Sequence, residues 1–332
     1  MERVPSCSGI SRNCTVAKPS LNLMATSGIS IVIPTRNRGK YLLEAVESVF
    51  VAPTAPLDVV VVDDGSTDNS VEEVRRRYPL VKFVEGNFGN AARARNAGAA
   101  AARGDLLGFL DSDDLMLAGK TSALVEHLRQ DRSLAVVHGR TQVITHAGLL
   151  NVKLTEQHAR SFEHGAAIGL DYAGLAAFCA MYTSATVIRR SHFDSVGGFD
   201  GSLDAYEDWD LYLRLSLVGR LEYAAAPAAM YRVWPGNVRS VETARWTAHV
   251  AHKHLENLPL LPRHNERRVR FALHRRIAES KNVLGDRGAT RRAAVAAASA
   301  APLRAAADGS WWRVLLRSVS PNVVLVGLRY FR

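Results

Sequence analysis

Short apolar runs that each end in a group of polar residues are the feature that most constrains how this chain can fold. The runs are rich in β-branched residues or leucine and have the length of buried strands. They lie at 29–34, 58–62, 81–84 and 106–110. Apolar residues at helical spacing fill the intervals between them. This alternation of strand and helix predicts an α/β fold with a mostly parallel central sheet.

Polar groups follow three of these strands, at 35–37, 63–64 and 111–114. Ligands of open α/β sheets bind beyond the carboxyl ends of the strands. We therefore expect the three polar groups to converge on one cleft. Ser66, Thr67 or Asp68 is expected to cap the helix that follows the second group.

The pattern becomes less regular after the first four strands. It predicts strands at 134–143 and 185–188 and an amphipathic helix at 206–218. The uncharged stretch 172–188 is interrupted by hydroxyl residues, which favours a helix end followed by a strand over a membrane span. From 241 onward the chain is helical, basic and alanine-rich. Helix breakers divide it at Gly285, Pro302, Gly309 and Pro321.

The excess of positive charge lies at the C-terminal end of the chain. The net charge is +10 and the pI is about 9.8, which indicates anionic partners such as nucleic acid, anionic lipid or phosphorylated substrates. Residues 245–332 contain 17 Lys and Arg against 5 Asp and Glu. Aromatic residues do not alternate with these basic ones before Trp311 and Trp312, so nucleic-acid binding by base stacking is not supported.

Cysteine content and the first residues of the chain bear on its compartment. Cys7, Cys14 and Cys179 form no CxxC pair, so neither a disulfide framework nor a zinc site follows from them. Residues 1–27 lack the apolar segment of a secretory signal and are expected to be a disordered leader. These features favour a cytoplasmic location.

The acidic motif Asp111-x-Asp113 directly follows a predicted buried strand. Alternating side chains in extended backbone would place both carboxylates on one side of the chain. Adjacent hard oxygen donors suit Mg²⁺ or Mn²⁺ shared with substrate phosphates. The alternative is a solvated acidic loop, and the position at a strand end favours the metal.

Other acidic groups have both a functional and a structural interpretation. Asp63 and Asp64 can accept a hydrogen bond from a base or ribose, or can complement a helix dipole. The segment Glu207-Asp208-x-Asp210 can supply a general base in an apolar setting, or can be an acidic first helical turn.

Several common site motifs are absent from the sequence. It contains no GxxxxGK[ST], no GxGxxG after the first strand, no GxSxG and no HExxH. His249, His252 and His254 cluster within the basic helical segment, where a solvated helix face is expected rather than a metal site.

Taken together, the motifs resemble family 2 glycosyltransferases with the GT-A fold. The resemblance covers 30–215 and lies in an ordered set of segments: SIVIPTRNR at 30–38, VVVVDDGSTDNS at 59–70, NFG at 87–89, ARNAG at 94–98, GDLLGFLDSDD at 104–114, VGGFDGSL at 196–203 and YEDWDLYLRL at 206–215. It implies an inverting transfer of a sugar from a nucleotide-diphosphate sugar to an acceptor hydroxyl. Hexosyl transfer in the synthesis of a cell-surface polysaccharide, glycoconjugate or natural product is the expected setting.

The resemblance also implies a role for each matching position. The donor-binding set is Pro34, Thr35, Asn37, Asp63, Asp64, Arg95, Asn96 and Ser112, with Asp64 on the base. Asp111 and Asp113 would hold Mg²⁺ or Mn²⁺ on the diphosphate. Asp208 would be the general base, with Glu207 the weaker candidate.

The sequence departs from the family pattern in three places. The spacing from Asn87 to Arg95 is one residue longer than usual, which leaves open whether Arg93 or Arg95 faces the donor. Trp234 stands where the family often carries His, so a further metal ligand is missing. The segment 242–246 is similar to the QxxRW of membrane-embedded processive synthases, a similarity that we attribute to chance.

The expected organisation has three parts. Residues 1–27 are the leader, 28–240 the catalytic domain and 241–332 a basic helical region. Within the catalytic domain, 28–120 would bind the nucleotide-sugar and 121–240 the acceptor.

The expected partners are a UDP-, dTDP- or GDP-sugar and an acceptor glycan, lipid-linked sugar or small molecule, with no nucleic acid. Aromatic residues beside arginines at 311–332 suit either a peripheral membrane contact or packing on the protein. The alternative functions are a non-catalytic sugar-nucleotide binder and a sugar-nucleotidyltransferase. Intact carboxylates argue against the first, and the lack of a glycine-rich loop after the first strand argues against the second.

Overall fold

A computed structural model of the chain describes residues 28–52, 54–234 and 241–307. The predicted leader and the aromatic segment 311–332 lie outside these residues. Within them, one eight-stranded sheet has the order β3-β2-β1-β4-β7-β6-β8-β5. The strands are β1 (Ile29–Thr35), β2 (Asp58–Asp64), β3 (Lys82–Gly86), β4 (Leu106–Phe109), β5 (Leu115–Met116), β6 (Leu134–Thr145), β7 (Thr186–Arg189) and β8 (Arg220–Val233).

The first half of the sheet is parallel, which confirms the α/β prediction. β1 pairs in parallel with β2 and β4, and β2 pairs in parallel with β3. Because these strands run the same way, the polar groups that follow them meet at one edge of the sheet.

The second half of the sheet is mixed. β7 pairs antiparallel with both β4 and β6, whereas the long strands β6 and β8 pair in parallel. The short β5 lies antiparallel to β8 at the edge of the sheet. β7 therefore joins the parallel half to the β6–β8 pair.

Twelve α-helices connect and cover the sheet within the described ranges. They are α1 (Lys40–Phe50), α2 (Ser70–Arg77), α3 (Ala91–Ala101), α4 (Ala123–Gln130), α5 (Val152–Ile168), α6 (Tyr172–Ala177), α7 (Arg190–Ser195), α8 (Glu207–Leu215), α9 (Val241–Glu256), α10 (Arg263–Val283), α11 (Arg287–Ala300) and α12 (Pro302–Ala307). None of the helices in this part of the chain is long and apolar enough to cross a bilayer.

β1 shows why the strand runs are apolar throughout. Ile31 and Ile33 are buried in the core beneath α1, α2 and α4. Val32, which points to the opposite face, is buried in the core beneath α3, α6 and α8. Because both faces are covered, the run 29–34 is apolar except for Ser30, whose hydroxyl donates to Asp58.

The C-terminal helices share the core of the sheet. Val250 and Ala251 of α9 and Leu273 and Ile277 of α10 are buried with residues of β4 and α8 in a single cluster. α10 packs on α6, α9 and α11. The basic segment therefore forms one wall of the protein in its described part.

The start of α2 differs from the expected cap. Asn69 occupies the cap position and makes no side-chain cap bond. Asp68 lies one residue earlier, and its Oδ1 accepts from Ser70 N at 3.2 Å while its Oδ2 accepts from Gly39 N at 2.9 Å. The carboxylate is thus used to join the loops after β1 and β2.

Candidate active site

The acidic segment after β4 forms a turn. Asp114 N donates to Asp111 O at 3.0 Å, so the extended backbone assumed from the sequence is wrong for this segment. Asp111 and Asp113 nevertheless line the same cleft, because the turn brings both side chains to the edge of the sheet.

Residues far away in sequence hold this turn. Arg232 of β8 donates from its backbone N to Asp114 Oδ1 at 2.8 Å and from Nε to Asp113 O at 2.6 Å. Ser184 Oγ donates to Asp114 Oδ2 at 2.6 Å. Burial and the charge of Asp111 raise the pKa of Asp114. No sequence pattern near the acidic motif indicates these partners.

A fully buried lysine lies beneath the turn. Lys120 Nζ donates to Phe109 O, the last residue of β4, and to Ser184 O at 2.7 Å. Burial lowers the pKa of Lys120 to about 7. This side chain fixes the position at which the acidic turn begins, and no sequence pattern indicated it.

The first cleft lies at the carboxyl ends of β1, β2 and β4 and has a volume of about 350 Å³. Most of the predicted donor-side residues line it: Pro34, Thr35, Asp64, Arg95, Asp111, Ser112 and Asp113. Arg36, which belongs to the polar group at 35–37, and Arg38 also line it, although the sequence assigned neither of them a role. Arg38 Nη2 is 4.0 Å from Asp113 Oδ2.

Asn37, Asp63 and Asp64 shape the loops of this cleft. Asn37 adopts a positive φ of 52°, and its Oδ1 accepts from Thr67 N at 2.7 Å. Asp63 Oδ1 accepts from Ser66 N at 2.9 Å. Asp64 Oδ1 accepts from Gly89 N at 2.9 Å. Of these three predicted residues, only Asp64 lines the cleft. Asn37 and Asp63 instead accept hydrogen bonds from the loop after β2.

The sequence left open whether Arg93 or Arg95 of α3 faces the donor, and the structure distinguishes the two. Arg93 Nε donates to Gly201 O at 2.8 Å and does not line the cleft. Asn96 is satisfied by the backbone of Phe199, with bonds of 2.8 and 2.9 Å, so its amide holds the 199 loop. Arg95 alone of the three lines the cleft.

Arg95 links the predicted metal ligand to the predicted base region. Its Nη2 donates to Asp111 Oδ1 at 2.6 Å and its Nη1 to Glu207 Oε1 at 2.5 Å. The residue is buried, with its guanidinium 5.3 Å from the ring centroid of Phe199. Both carboxylates are therefore held in place by one rigid side chain.

A second cavity of about 640 Å³ adjoins the first cleft and contains Asp208. The two spaces share Arg95 and Asp111. Burial, and then the charge of Glu207, raises the pKa of Asp208 to about 7. Tyr206, which precedes this pair, adopts a left-handed backbone with φ of 62°. A carboxylate with this pKa can exchange a proton near neutral pH.

Asp210 is structural, although it lies only two residues from Asp208. It is fully buried and bonds to Arg214 at 2.6 Å, Lys253 at 2.5 Å and His254 at 3.0 Å. The hydrogen bond with His254 and the charges of Arg214 and Lys253 hold the pKa of Asp210 well below its usual range against the effect of burial. The expectation of a solvated face is therefore wrong for His254.

The donor set of the first cleft fits a divalent ion shared with a diphosphate. Mg²⁺ and Mn²⁺ commonly use one or two carboxylates and take their remaining ligands from phosphate and water. Asp111 and Asp113 supply that number, and their side chains are 35% and 17% exposed. The part of the chain that the structure describes holds no group of three or more acidic, His or Cys ligands for a metal.

Trp234 also contacts Asp113. Its Nε1 donates to Asp113 Oδ2 at 2.9 Å, and its ring packs edge-on against Tyr41. The indole therefore orients the carboxylate and cannot itself coordinate an ion.

Comparisons with known proteins show which proteins this chain resembles. The sequence model described as Glycosyl transferase family 2 matches residues 30–190. Chondroitin synthase of Pasteurella multocida (strain Pm70) is 29% identical over 198 residues, which are 59% of this chain and 19% of that protein. YwdF, an uncharacterized glycosyltransferase of Bacillus subtilis (strain 168), is 28% identical over 61% of this chain and 73% of that protein. The chain thus matches about a fifth of the length of the synthase.

Solved structures share the fold over most of the chain. TarS of S. aureus (residues 1–349) in complex with UDP-GlcNAc gives a TM-score of 0.60 at 18% identity, over 84% of this chain and 83% of that one. The mannosyltransferase PcManGT from Pyrobaculum calidifontis in complex with GDP-Man and Mn²⁺ gives a TM-score of 0.57 at 17% identity, over 87% and 83%. At these identities the likeness establishes a common fold.

Proposed function

The chain belongs to glycosyl transferase family 2 and has the GT-A fold, and from that premise we propose that it transfers a sugar from a nucleotide-diphosphate sugar to an acceptor hydroxyl with inversion at the anomeric carbon. The observation that carries the proposal is the pair of adjoining spaces that share Arg95 and Asp111. We name the first the donor cleft and the second the acceptor cavity.

The donor cleft takes the nucleotide and the diphosphate. In the proposal, Asp64 and the loops after β1 and β2 bind the nucleoside, while Asp111 and Asp113 hold Mg²⁺ or Mn²⁺. When bound, the ion stabilises the negative charge that develops on the departing diphosphate. Arg36 and Arg38, which line the same cleft, add positive charge on the phosphate side.

Asp208 acts as the general base in the acceptor cavity. Its carboxylate takes the proton of the acceptor hydroxyl as that oxygen attacks the anomeric carbon from the face opposite the leaving diphosphate. A single positioned base is sufficient for one displacement, which inverts the configuration. The raised pKa of Asp208 supports the role, because proton transfer is most efficient when the pKa lies near the operating pH.

Arg95 is a positioning residue in this scheme. It holds Asp111 on the donor side and Glu207 on the acceptor side, which fixes the metal ligand relative to the loop that carries Asp208. Since reacting atoms must be aligned closely for direct displacement, this bridge supports transfer rather than binding alone.

A screen of UDP-, dTDP- and GDP-sugars for thermal stabilisation with and without Mn²⁺ tests donor binding, because a ligand that binds only the folded state raises the melting temperature. Hydrolysis or transfer of the stabilising sugar then tests catalysis. Binding without turnover would favour the non-catalytic sugar-nucleotide binder. Release of pyrophosphate from a nucleoside triphosphate and a sugar phosphate would favour the nucleotidyltransferase.

The division of the chain and its location stay predictions. The proposal keeps 28–120 as the donor half, 121–240 as the acceptor half and 241–332 as a basic helical region in a cytoplasmic enzyme. The segment 311–332 is proposed to contact the inner membrane surface, where it would meet a lipid-linked acceptor. Flotation with anionic liposomes at low and high salt, with the full chain and with one ending at Asp308, tests this contact.

A further inference from the structure

The far end of the acceptor cavity is built by the C-terminal helices. Thr243 and Thr247 of α9 and Arg276 of α10 line it, together with Tyr206 and Trp209 of the α8 region. A smaller hollow of about 60 Å³ continues from Tyr206, the two threonines and Arg276 along α10. An acceptor that enters from this side passes Arg276 before it reaches Asp208.

The two ends of the cavity differ in charge. The end near the donor cleft is acidic and contains Asp111, Asp114, Glu207 and Asp208, and Asp204 also lines the cavity. The one lining cation of the acidic end, Arg95, is already paired with two of those carboxylates. Arg276 lies at the other end and forms no ion pair with any residue in 28–52, 54–234 or 241–307. Glu279, which pairs with Arg275, lines the hollow beyond Arg276.

The guanidinium of Arg276 is incompletely satisfied. Nη2 donates to Ala177 O at 3.2 Å, and the group lies 5.8 Å from the ring centroid of Trp209. Nε is buried with no hydrogen-bond partner among the described residues. Burial lowers the pKa of Arg276 despite the neighbouring Glu279. A desolvated cation with spare donors is stabilised by a bound anion.

Thr247 adds a different kind of contact at the same place. Its hydroxyl donates to Thr243 O at 2.9 Å, which leaves the oxygen as an acceptor. An acceptor oxygen suits a sugar hydroxyl and does not suit an unprotonated anion. The far end therefore offers one site for a negative charge beside one site for a hydroxyl group.

We propose that the acceptor substrate carries an oxyanion, a phosphate or a carboxylate, away from the hydroxyl that is glycosylated, and that Arg276 binds this oxyanion. Arginine pairs with both groups through parallel N–H donors. The donor diphosphate is not the partner, because Arg276 does not line the donor cleft. The inference rests on the proposed function for the identity of the cavity as the acceptor site.

Direct binding to the full chain tests the inference without a known acceptor. Glucose 6-phosphate, glucuronate and glucose are titrated by calorimetry into the wild type and into R276Q, R276K and R267Q. We expect at least one of the two anions, glucose 6-phosphate or glucuronate, to bind about tenfold or more tightly than glucose. A gain in affinity of this size corresponds to one hydrogen bond to a charged group. R276Q should remove this preference and R276K should retain part of it. R267Q is the matched control, since Arg267 is an exposed residue of α10 outside the cavity, and it should keep the full preference.

The outcomes separate this inference from the proposed function. A preference for glucose 6-phosphate assigns a phosphate, and one for glucuronate assigns a carboxylate. Wild-type protein that binds neither anion better than glucose contradicts the inference, as does a preference that persists in R276Q with an unchanged melting temperature. Mn²⁺-dependent hydrolysis of the stabilising nucleotide-sugar, measured on the wild type and on R267Q, reports on the proposed function alone and should be the same in both proteins.

Discussion

The donor cleft and the acceptor cavity lie side by side and share Arg95 and Asp111, but the fold builds them in different ways. The donor cleft consists of loops that follow β1, β2 and β4 and the start of α3, all within residues 34–113. Apart from Arg95, Asp111 and Asp114, the walls of the acceptor cavity come from segments between 178 and 276 that include α8, β8, α9 and α10. Parallel pairing is therefore enough to assemble the first space, whereas the second depends on packing between distant helices.

The carboxylates of the two spaces differ accordingly. Asp111 and Asp113 are partly exposed and accept hydrogen bonds from Arg95 and Trp234. Asp208 lies where burial and the charge of Glu207 raise its pKa to about 7. In the proposal, the carboxylates of the donor cleft bind a cation, whereas the raised pKa of Asp208 suits a carboxylate that exchanges a proton.

The largest effect is expected from Asp113→Asn in the donor cleft. Replacing one of the two anionic oxygen ligands should abolish Mn²⁺-dependent binding of UDP, dTDP or GDP, because little else on the protein would compensate the ion's charge. Calorimetric titration of the diphosphates measures this. Asp105→Asn, at the opposite end of β4, is the control and should bind normally. Unchanged affinity in Asp113→Asn would remove the metal assignment.

Asp208→Asn should lower turnover by about 10²–10⁴-fold, the range typical of losing a general base, while donor binding stays near normal. Steady-state rates with saturating donor measure the change. The same variant should melt higher than wild type at pH 8. The folded-state pKa lies above the unfolded one, so ionisation of Asp208 destabilises the fold as pH rises through about 7. Glu207→Gln is the companion variant, and if it proves the more damaging, the base is Glu207.

Asp210→Asn should destabilise the protein, in contrast to Asp208→Asn, which lies two residues away. The buried carboxylate has a lowered pKa and bonds to Arg214, Lys253 and His254, so its contribution is present above the unfolded pKa and lost as pH falls through the folded one. Removing it at pH 7 should cost about 3 kcal/mol, the low end for breaking a buried ion pair. The midpoint of urea unfolding measures this, with Asp208→Asn as the reference. Equal stability of wild type and Asp210→Asn would contradict the structural role.

The smallest effect concerns the pH profile of turnover. Only ionised Asp208 accepts a proton, so the rate should fall by about tenfold per pH unit below its pKa, which is about 7. Glu207→Gln removes a repulsive charge and leaves more of the charge of Arg95 facing Asp208, and both changes move the midpoint to lower pH. A rate profile from pH 5 to 9 compares the two proteins. A midpoint that does not move would show that Glu207 does not tune the base.

The acidic turn shows how far sequence reasoning reached. The strand before it and the cleft beside it were both predicted, because apolar runs and polar strand ends depend on neighbours in the chain. The extended conformation of Asp111 to Asp113 was wrong, since Arg232 and Ser184 stabilise a turn. His254 was placed on a solvated face because its buried partner, Asp210, lies 44 residues away.

Periodicity and residues adjacent in the chain were enough to predict the α/β class, the order of the parallel strands' polar ends and the candidate carboxylates. Long-range packing determines which residues surround them: Arg95 rather than Arg93 joins the two spaces, Lys120 lies beneath the turn, and Arg276 reaches the far end of the acceptor cavity. Burial and charge environment arise from groups brought together by long-range packing, and local sequence does not encode those distances.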